Sequence, residues 1–321
     1  MSMVELIQRH MGGTWILRCF ADIHRHTAIR QLFEEAFVEL QRLENLLTDF
    51  RPSPFNRIND MAGIEAVVVP PEIFDLLATA LEYSRLSDGI FDISYASVGH
   101  LWRSARLKNE MPSELQIAAA AKQIDYRKIV LHQNNCSVYL PHPDMKIGLG
   151  GIGKGYAVDK IFDFLKERGL DNFYVNGAGD IRVDSAPQAP RPWRIGIRNP
   201  LSKNPDHKMG MLNLKNAAIA TSGDYVNFIP HQGRKWHHLI DPKSGFPSLG
   251  VISATVIAAS AVRADVCASV ALLKGLDEGM KFLNRENLQG ILVNCEGEVF
   301  LSQASLDQLK SDMQQEGTYA H

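Results

Sequence analysis

Five glycines within eight residues constrain this chain more than any other feature. They stand at positions 148, 150, 151, 153 and 155 inside Ile147–Lys160, IGLGGIGKGYAVDK. The pattern predicts a short strand, a glycine-rich turn and then a helix. Glycine permits positive φ and lets backbone N–H groups approach an anion, and the following helix offers its positive N-terminus. A phosphate suits that geometry. The stretch contains G-x-G-x-x-G (Gly148, Gly150, Gly153). That fingerprint belongs after a long buried strand opening a βαβ unit, whereas here a short strand follows Pro141-His142-Pro143-Asp144. It also contains G-x-x-x-x-G-K, but Gly155 stands where a P-loop needs Ser or Thr for magnesium. A glycine-rich turn serving only to pack is the plainer alternative.

The rest of the chain reads as α+β. Strand patterns fall at residues 14–20, 65–69, 128–132, 137–140, 173–175, 181–183, 193–197, 217–221, 252–257 and 290–293. A helix with apolar residues at i, i+3, i+4 spacing runs from Thr27 and stops before Arg51-Pro52-Ser53-Pro54. Further helices are predicted at 72–86, 113–123, 154–168, 264–274 and 277–284. Phe55–Asp60 reads as a polar loop, and 185–192 and 201–207 as surface loops. Runs of strands alternate irregularly with helices, which excludes a regular βαβ series. No linker or repeat divides the chain, so residues 1–321 are expected to form one domain.

Composition narrows the partners. Lys and Arg number 34 against 36 Asp and Glu, a formal charge of −2, which argues against bulk phosphate neutralisation on a nucleic acid. No apolar run approaches the ~20 residues of a membrane span, since Val251–Val262 is broken by Ser253, Thr255 and Ser260. The start lacks a cationic segment followed by an apolar one. The chain as it stands is therefore expected in the cytoplasm, or in the periplasm or at a membrane if a leader has been removed. Cys19, Cys136, Cys267 and Cys295 form no CxxC pair and read as free thiols of a reducing compartment.

Three clusters carry candidate chemistry. Asp265 and Ser269 stand four apart in a predicted helix, so both oxygens project from one face. A hard cation takes such ligands and completes its shell with phosphate and water; pairing of Asp265 with Arg263 is the bland alternative. Thr221-Ser222-Gly223-Asp224-Tyr225 is a polar turn after an apolar strand. His237-His238-Leu239-Ile240-Asp241-Pro242 runs from a strand into a turn. Ser, His and Asp are all present, but no G-x-S-x-G elbow accompanies them. Asp241-Pro242-x-x-Gly245 is also an ordinary turn sequence.

Taken together and in order, these segments resemble the FAD:protein FMN transferases, the ApbE family. The stretches that carry the resemblance are MGGTW (11–15), SPFNRIN (53–59), GIFDIS (89–94), HLW (100–102), GGIGKGYAVDK (150–160), NGAGDIR (176–182), ATSGDY (220–225), HLIDPKSGFP (238–247) and SATVIAASAVRADVCASVALLKG (253–275). The resemblance implies a T-fold-like α+β architecture, with antiparallel sheets and helices packed around an FAD cleft. It implies Mg2+-dependent transfer of the FMN half of FAD to a threonine hydroxyl of an acceptor flavoprotein, releasing AMP. Hydrolysis of FAD to FMN and AMP is the near alternative. A non-catalytic flavin binder is another, and a nicotinamide oxidoreductase with Asp171 reading the ribose is a third.

Residue by residue, the resemblance implies metal ligands at Asp265, Ser269 and the Gly153 carbonyl. His238 would position or deprotonate the incoming threonine, with Asp265 its catalytic companion through the metal. Met11, Asn59, Asp92, Gly151, Lys154, Asp180, Thr221, Ser222, Gly223, Asp224 and Asp241 would line or shape the FAD cleft, with Trp15 and Tyr225 near its rings or in the core. The family usually carries Thr where Ser269 stands and Asp where Gly148 stands. Its N-A-G-G-D appears here as Asn176-Gly177-Ala178-Gly179-Asp180.

Overall fold

Eight strands follow one another in chain order across one sheet: β1 (Ser2–His10), β2 (Gly13–Ala21), β3 (Phe173–Gly177), β4 (Asp180–Val183), β5 (Ala217–Gly223), β6 (Val251–Ala258), β7 (Gln289–Asn294) and β8 (Val299–Leu301). Every neighbouring pair is antiparallel. This computed structural model describes residues 2–108, 110–186, 191–204, 206–223, 228–231, 234–237 and 239–308, with 228–231 and 234–237 described by backbone. An antiparallel meander has no parallel βαβ unit to receive a dinucleotide in the nicotinamide manner, so the oxidoreductase expectation fails on topology.

The sheet buries both faces. Along β2, Trp15, Leu17, Cys19 and Ala21 point one way. They meet helix α1 (His26–Leu47), whose buried stripe is Ile29, Phe33, Ala36, Phe37, Leu40, Leu43 and Leu47. Helix α4 (Gly153–Glu167) fills the same layer through Ala157, Val158, Ile161 and Leu165. Before it come α2 (Pro71–Leu86) and α3 (Ala96–Lys108), with a small sheet of 67–68, 137–139 and 130–132. The hairpin of Trp193–Arg198 with Lys208–Leu214 covers the other face, packing Trp193 and Ile195 against Tyr174, Val183 and Ile219.

Helix α5 (Ala261–Arg285) lies under β5 and β6, with Val266, Ala268, Val270 and Leu272 in a second apolar cluster beside α2. It divides at Gly275, where φ is 76° and ψ −174°, so the two helices predicted on either side of that glycine are both present across a kink. One expectation, the polar loop at 55–60, is corrected, and three elements are found where the sequence reading made no assignment. Residues 2–10 are a strand because they pair along their length with β2. Asn56–Asp60 is a short helix whose Ile58 and Asn59 are buried, and 96–108 is a helix around buried Val98 and Trp102. Residues 208–214 form a strand against 193–198. Among the described residues no helix is long and apolar enough to cross a membrane, and all four thiols are free.

Candidate active site

A cleft of about 740 Å3 opens where several turns converge. The β1–β2 turn supplies Met11 and Gly12, the β3–β4 turn Ala178, the end of β5 Thr221, Ser222 and Gly223, and α5 Asp265 and Ser269. Opposite stand Asp49, Phe50, Trp102, Arg103 and Arg106. Both turns are two-residue hairpins with positive φ, at 48° and 76° for Met11-Gly12 and 54° and 109° for Ala178-Gly179. Ala178 N–H donates to the Thr14 carbonyl at 3.0 Å, locking the two tips side by side. Position 13 is glycine because a Cβ there would lie 2.3 Å from that of Ala178.

The glycine-rich turn is fixed from outside the cleft. Asn59 clamps its leading edge: Nδ2 donates to the Ile147 carbonyl at 2.9 Å and Oδ1 accepts from Ile147 N–H at 2.7 Å. Gly151 has φ 82°, and a Cβ on it would sit 3.2 Å from Ser269 Oγ. Gly155 brings α4 hard against α5, since a Cβ would fall 2.6 Å from the Ala261 carbonyl oxygen. Several of the five glycines therefore do pack, and the turn still ends at the N-terminus of α4, where phosphate is favoured.

Three charges meet beneath that turn. Lys154 Nζ donates to the Asp180 carboxylate, and Asp265 Oδ2 accepts from Gly155 N–H at 3.2 Å. Asp180 and Asp265 are 2% and 4% exposed. Burial, then the neighbouring Asp265, push the Asp180 carboxyl up to about 7 against the pull of Lys154. Burial works against the Lys154 ammonium too, but the two carboxylates outweigh it and hold its pKa above the ordinary lysine value. Ser269 Oγ lies 3.0 Å from Ser222 Oγ, and Thr221 Oγ1 lies 2.9 Å from Thr255 Oγ1.

Asp265 and the Ser269 hydroxyl, with the Gly153 carbonyl at the start of α4, could hold a cation at this corner. Among the described residues no three His, Cys, Asp or Glu side chains gather as a metal cage. Mg2+ needs no such cage: it takes one or two carboxylates, keeps waters and binds substrate phosphate. The donors present fit that habit and lack the nitrogen and sulfur that zinc prefers.

Met11, Asp92, Gly151, Gly153, Lys154, Thr221, Ser222, Gly223, Asp265 and Ser269 line the cleft together. Asp92 is engaged structurally, since Oδ1 accepts from Ser94 N–H and Oγ, and Oδ2 from Tyr126 N–H. Burial raises its pKa despite those donors. Asn59 and Asp180 stand behind the lining and act through Ile147 and Lys154. Asp241 closes its own turn, accepting from Lys243 N–H at 3.0 Å. Trp15 is core, with Nε1 donating to the His10 carbonyl. Asp224, Tyr225 and His238 lie outside the described residues. Asp49, Arg103 and Arg106 had no place in the sequence reading, and Trp102 entered it only within HLW (100–102), with no role assigned. The i, i+4 spacing of Trp102 and Arg106 was the available signal.

An antiparallel α+β frame whose hairpin tips, glycine-rich helix N-terminus and carboxylate–hydroxyl corner share one cleft defines a protein built to hold a phosphorylated ligand rather than a Rossmann enzyme. The sequence profile of the ApbE family matches residues 11–292, and the chain belongs to that family. It is 28% identical over 274 residues to a protein of Klebsiella pneumoniae named FAD:protein FMN transferase, covering 84% of each chain. A namesake from Escherichia coli is 26% identical, over 84% of this chain and 78% of its own. Among solved structures, the ApbE protein of Thermotoga maritima superposes with a TM-score of 0.85 at 27% identity, covering 94% of this chain and 97% of that one. The flavinyl transferase ApbE of Pseudomonas stutzeri in its apo form gives 0.82 at 25% identity, covering 94% and 95%.

Proposed function

We propose that this protein, acting as one domain over residues 1–321, is an Mg2+-dependent FAD:protein FMN transferase. The observation that carries this reading is the placing of Asp265 and Ser269, one turn apart on α5, against the glycine-rich turn and Lys154 in the same cleft. The turn and the Lys154 ammonium are suited to hold the FAD pyrophosphate, the turn by backbone N–H groups and the lysine by charge. Bound Mg2+ would neutralise charge building on the pyrophosphate oxygens, held by Asp265, Ser269 and the Gly153 carbonyl. The threonine hydroxyl of an acceptor flavoprotein attacks the FMN phosphorus. One P–O bond forms, the P–O bond to AMP breaks, and the hydroxyl proton passes to a base, the role given to His238. Met11, Thr221, Ser222 and Gly223 line the remaining cleft.

The test is AMP release from FAD, with and without a threonine-bearing acceptor domain, for wild type and Asp265→Ala. AMP together with a fluorescent covalent adduct, both lost in the variant and in chelator, supports the transferase. AMP with free FMN and no adduct makes it an FAD pyrophosphatase. Tight FAD binding without AMP leaves a non-catalytic flavin binder.

A further inference from the structure

Gly148 lacks a conformational reason to be glycine, because it is not among the positions of positive φ. Its reason is spatial. A Cβ there would meet the Ala96 Cβ at 3.0 Å, and Asp49 Oδ2 and the Tyr95 hydroxyl at 3.6 Å. Gly150 repeats the pattern, with a Cβ falling 2.2 Å from the Tyr95 hydroxyl. The glycine-rich turn is thus bare on the side where Asp49 and Tyr95 reach the cleft.

Asp49 follows the end of α1, and its side chain is only 11% exposed. Arg103 Nη2 donates to Asp49 Oδ2 at 2.9 Å, and the same guanidinium lies 4.0 Å over the Phe50 ring. One arginine therefore fixes the carboxylate's position. A carboxylate has about four acceptor sites, and Arg103 is the donor that reaches this one among the described residues. Held at the cleft wall with little water, such a group repels phosphate and rewards hydrogen-bond donors.

We propose that Asp49 is a substrate-binding residue that accepts a hydrogen bond from a hydroxyl or N–H group of the dinucleotide. Arg103 is its positioning residue. The assignment rests on the reading that FAD occupies the cleft. The shared chemistry is a donor, which the adenosine half or the flavin–ribityl half could supply.

The experiment measures FAD binding by flavin fluorescence, and ADP and FMN binding by calorimetry, all in chelator so that no turnover occurs. Wild type, Asp49→Asn and Asp49→Ala are compared, with melting temperatures alongside. Asp49→Ala is expected to bind FAD about ten-fold or more weakly, with the same loss for ADP or for FMN, whichever carries the donor. Asp49→Asn falls between. Failure of wild type to bind FAD overturns the parent reading and this one together. Wild-type binding with all three affinities retained in Asp49→Ala, whatever its melting temperature, overturns the assignment of Asp49 alone.

Discussion

Ser222 Oγ and Ser269 Oγ stand 3.0 Å apart, joining the end of β5 to the second and third turns of α5. The contact makes the Ser269 hydroxyl part of a fixed oxygen corner with Asp265 rather than a free rotor. Ser269→Ala removes one oxygen there and leaves Ser222 without this partner. AMP release is expected to fall about 10- to 100-fold with a rise in the Mg2+ needed for half-activity. Ser269→Thr keeps the hydroxyl and is expected to retain activity within about 10-fold. A magnesium titration of both variants checks this, and equal losses in the two would show that the hydroxyl is not the operative group.

Lys154, Asp180 and Asp265 form a second testable unit. Lys154→Met leaves Asp180, 2% exposed, beside another buried carboxylate with no ammonium between them. The variant is expected to lose about 1–3 kcal/mol of stability, below the full value for a buried pair because the lysine side chain is 39% exposed. Lys154→Met/Asp180→Asn should recover most of that loss in a urea titration while remaining inactive.

The same carboxyl gives a pH signature. Its pKa rises from 3.8 to about 7 on folding, so its proton stabilises the fold below pH 3.8 and that contribution disappears as pH climbs through about 7. In metal-free protein, Asp180→Asn is expected to flatten this part of the melting-temperature profile. A profile identical to wild type between pH 4 and 7 would contradict it.

The thiols report on burial. Burial pushes Cys19 up to about 11 and Cys267 up to about 12, so neither offers thiolate at pH 8. A disulfide reagent is expected to titrate exposed Cys295 in the native protein and to reach Cys19 and Cys267 only in denaturant. Rapid native labelling of Cys267 would show that α5 does not pack as described.

Much of this arrangement is legible in one dimension where the physics is local. The i, i+3, i+4 stripe of α1 and the alternation of β2 follow from burial of one face. The Asp265–Ser269 spacing survives intact because both lie on one helix. Relations between elements are not legible. Residues 2–10 are a strand only because β2 accepts them, and Lys154 meets Asp180 only because the β3–β4 hairpin carries it there. Asn59, in a stretch that reads as polar loop, clamps Ile147 eighty-eight positions away. Asp49 and Arg103 meet across 54 positions, with no spacing that could announce them.

Gly155 illustrates how a packing requirement reaches the chemistry. It stands where a P-loop would place a hydroxyl, yet any side chain there collides with α5: a Cβ would lie 2.6 Å from the Ala261 carbonyl oxygen and 2.9 Å from Val262 Cα. Both are backbone atoms, so no rotamer change can yield room, and α4 must move away from α5. That movement pulls Gly155 N–H from Asp265 Oδ2, now 3.2 Å away, and disturbs Asp159, which caps α5 by accepting from Ala261 and Val262 N–H at 2.9 Å each. Gly155→Ala is therefore expected to cost about 1–3 kcal/mol, despite the better helix propensity of alanine. Activity should fall further than stability, because Lys154 and Asp265 separate with the helices. Thermal melting and AMP release measured on the same preparation check both parts. An alanine variant as stable and active as wild type would show that α4 and α5 are not in contact at this crossing.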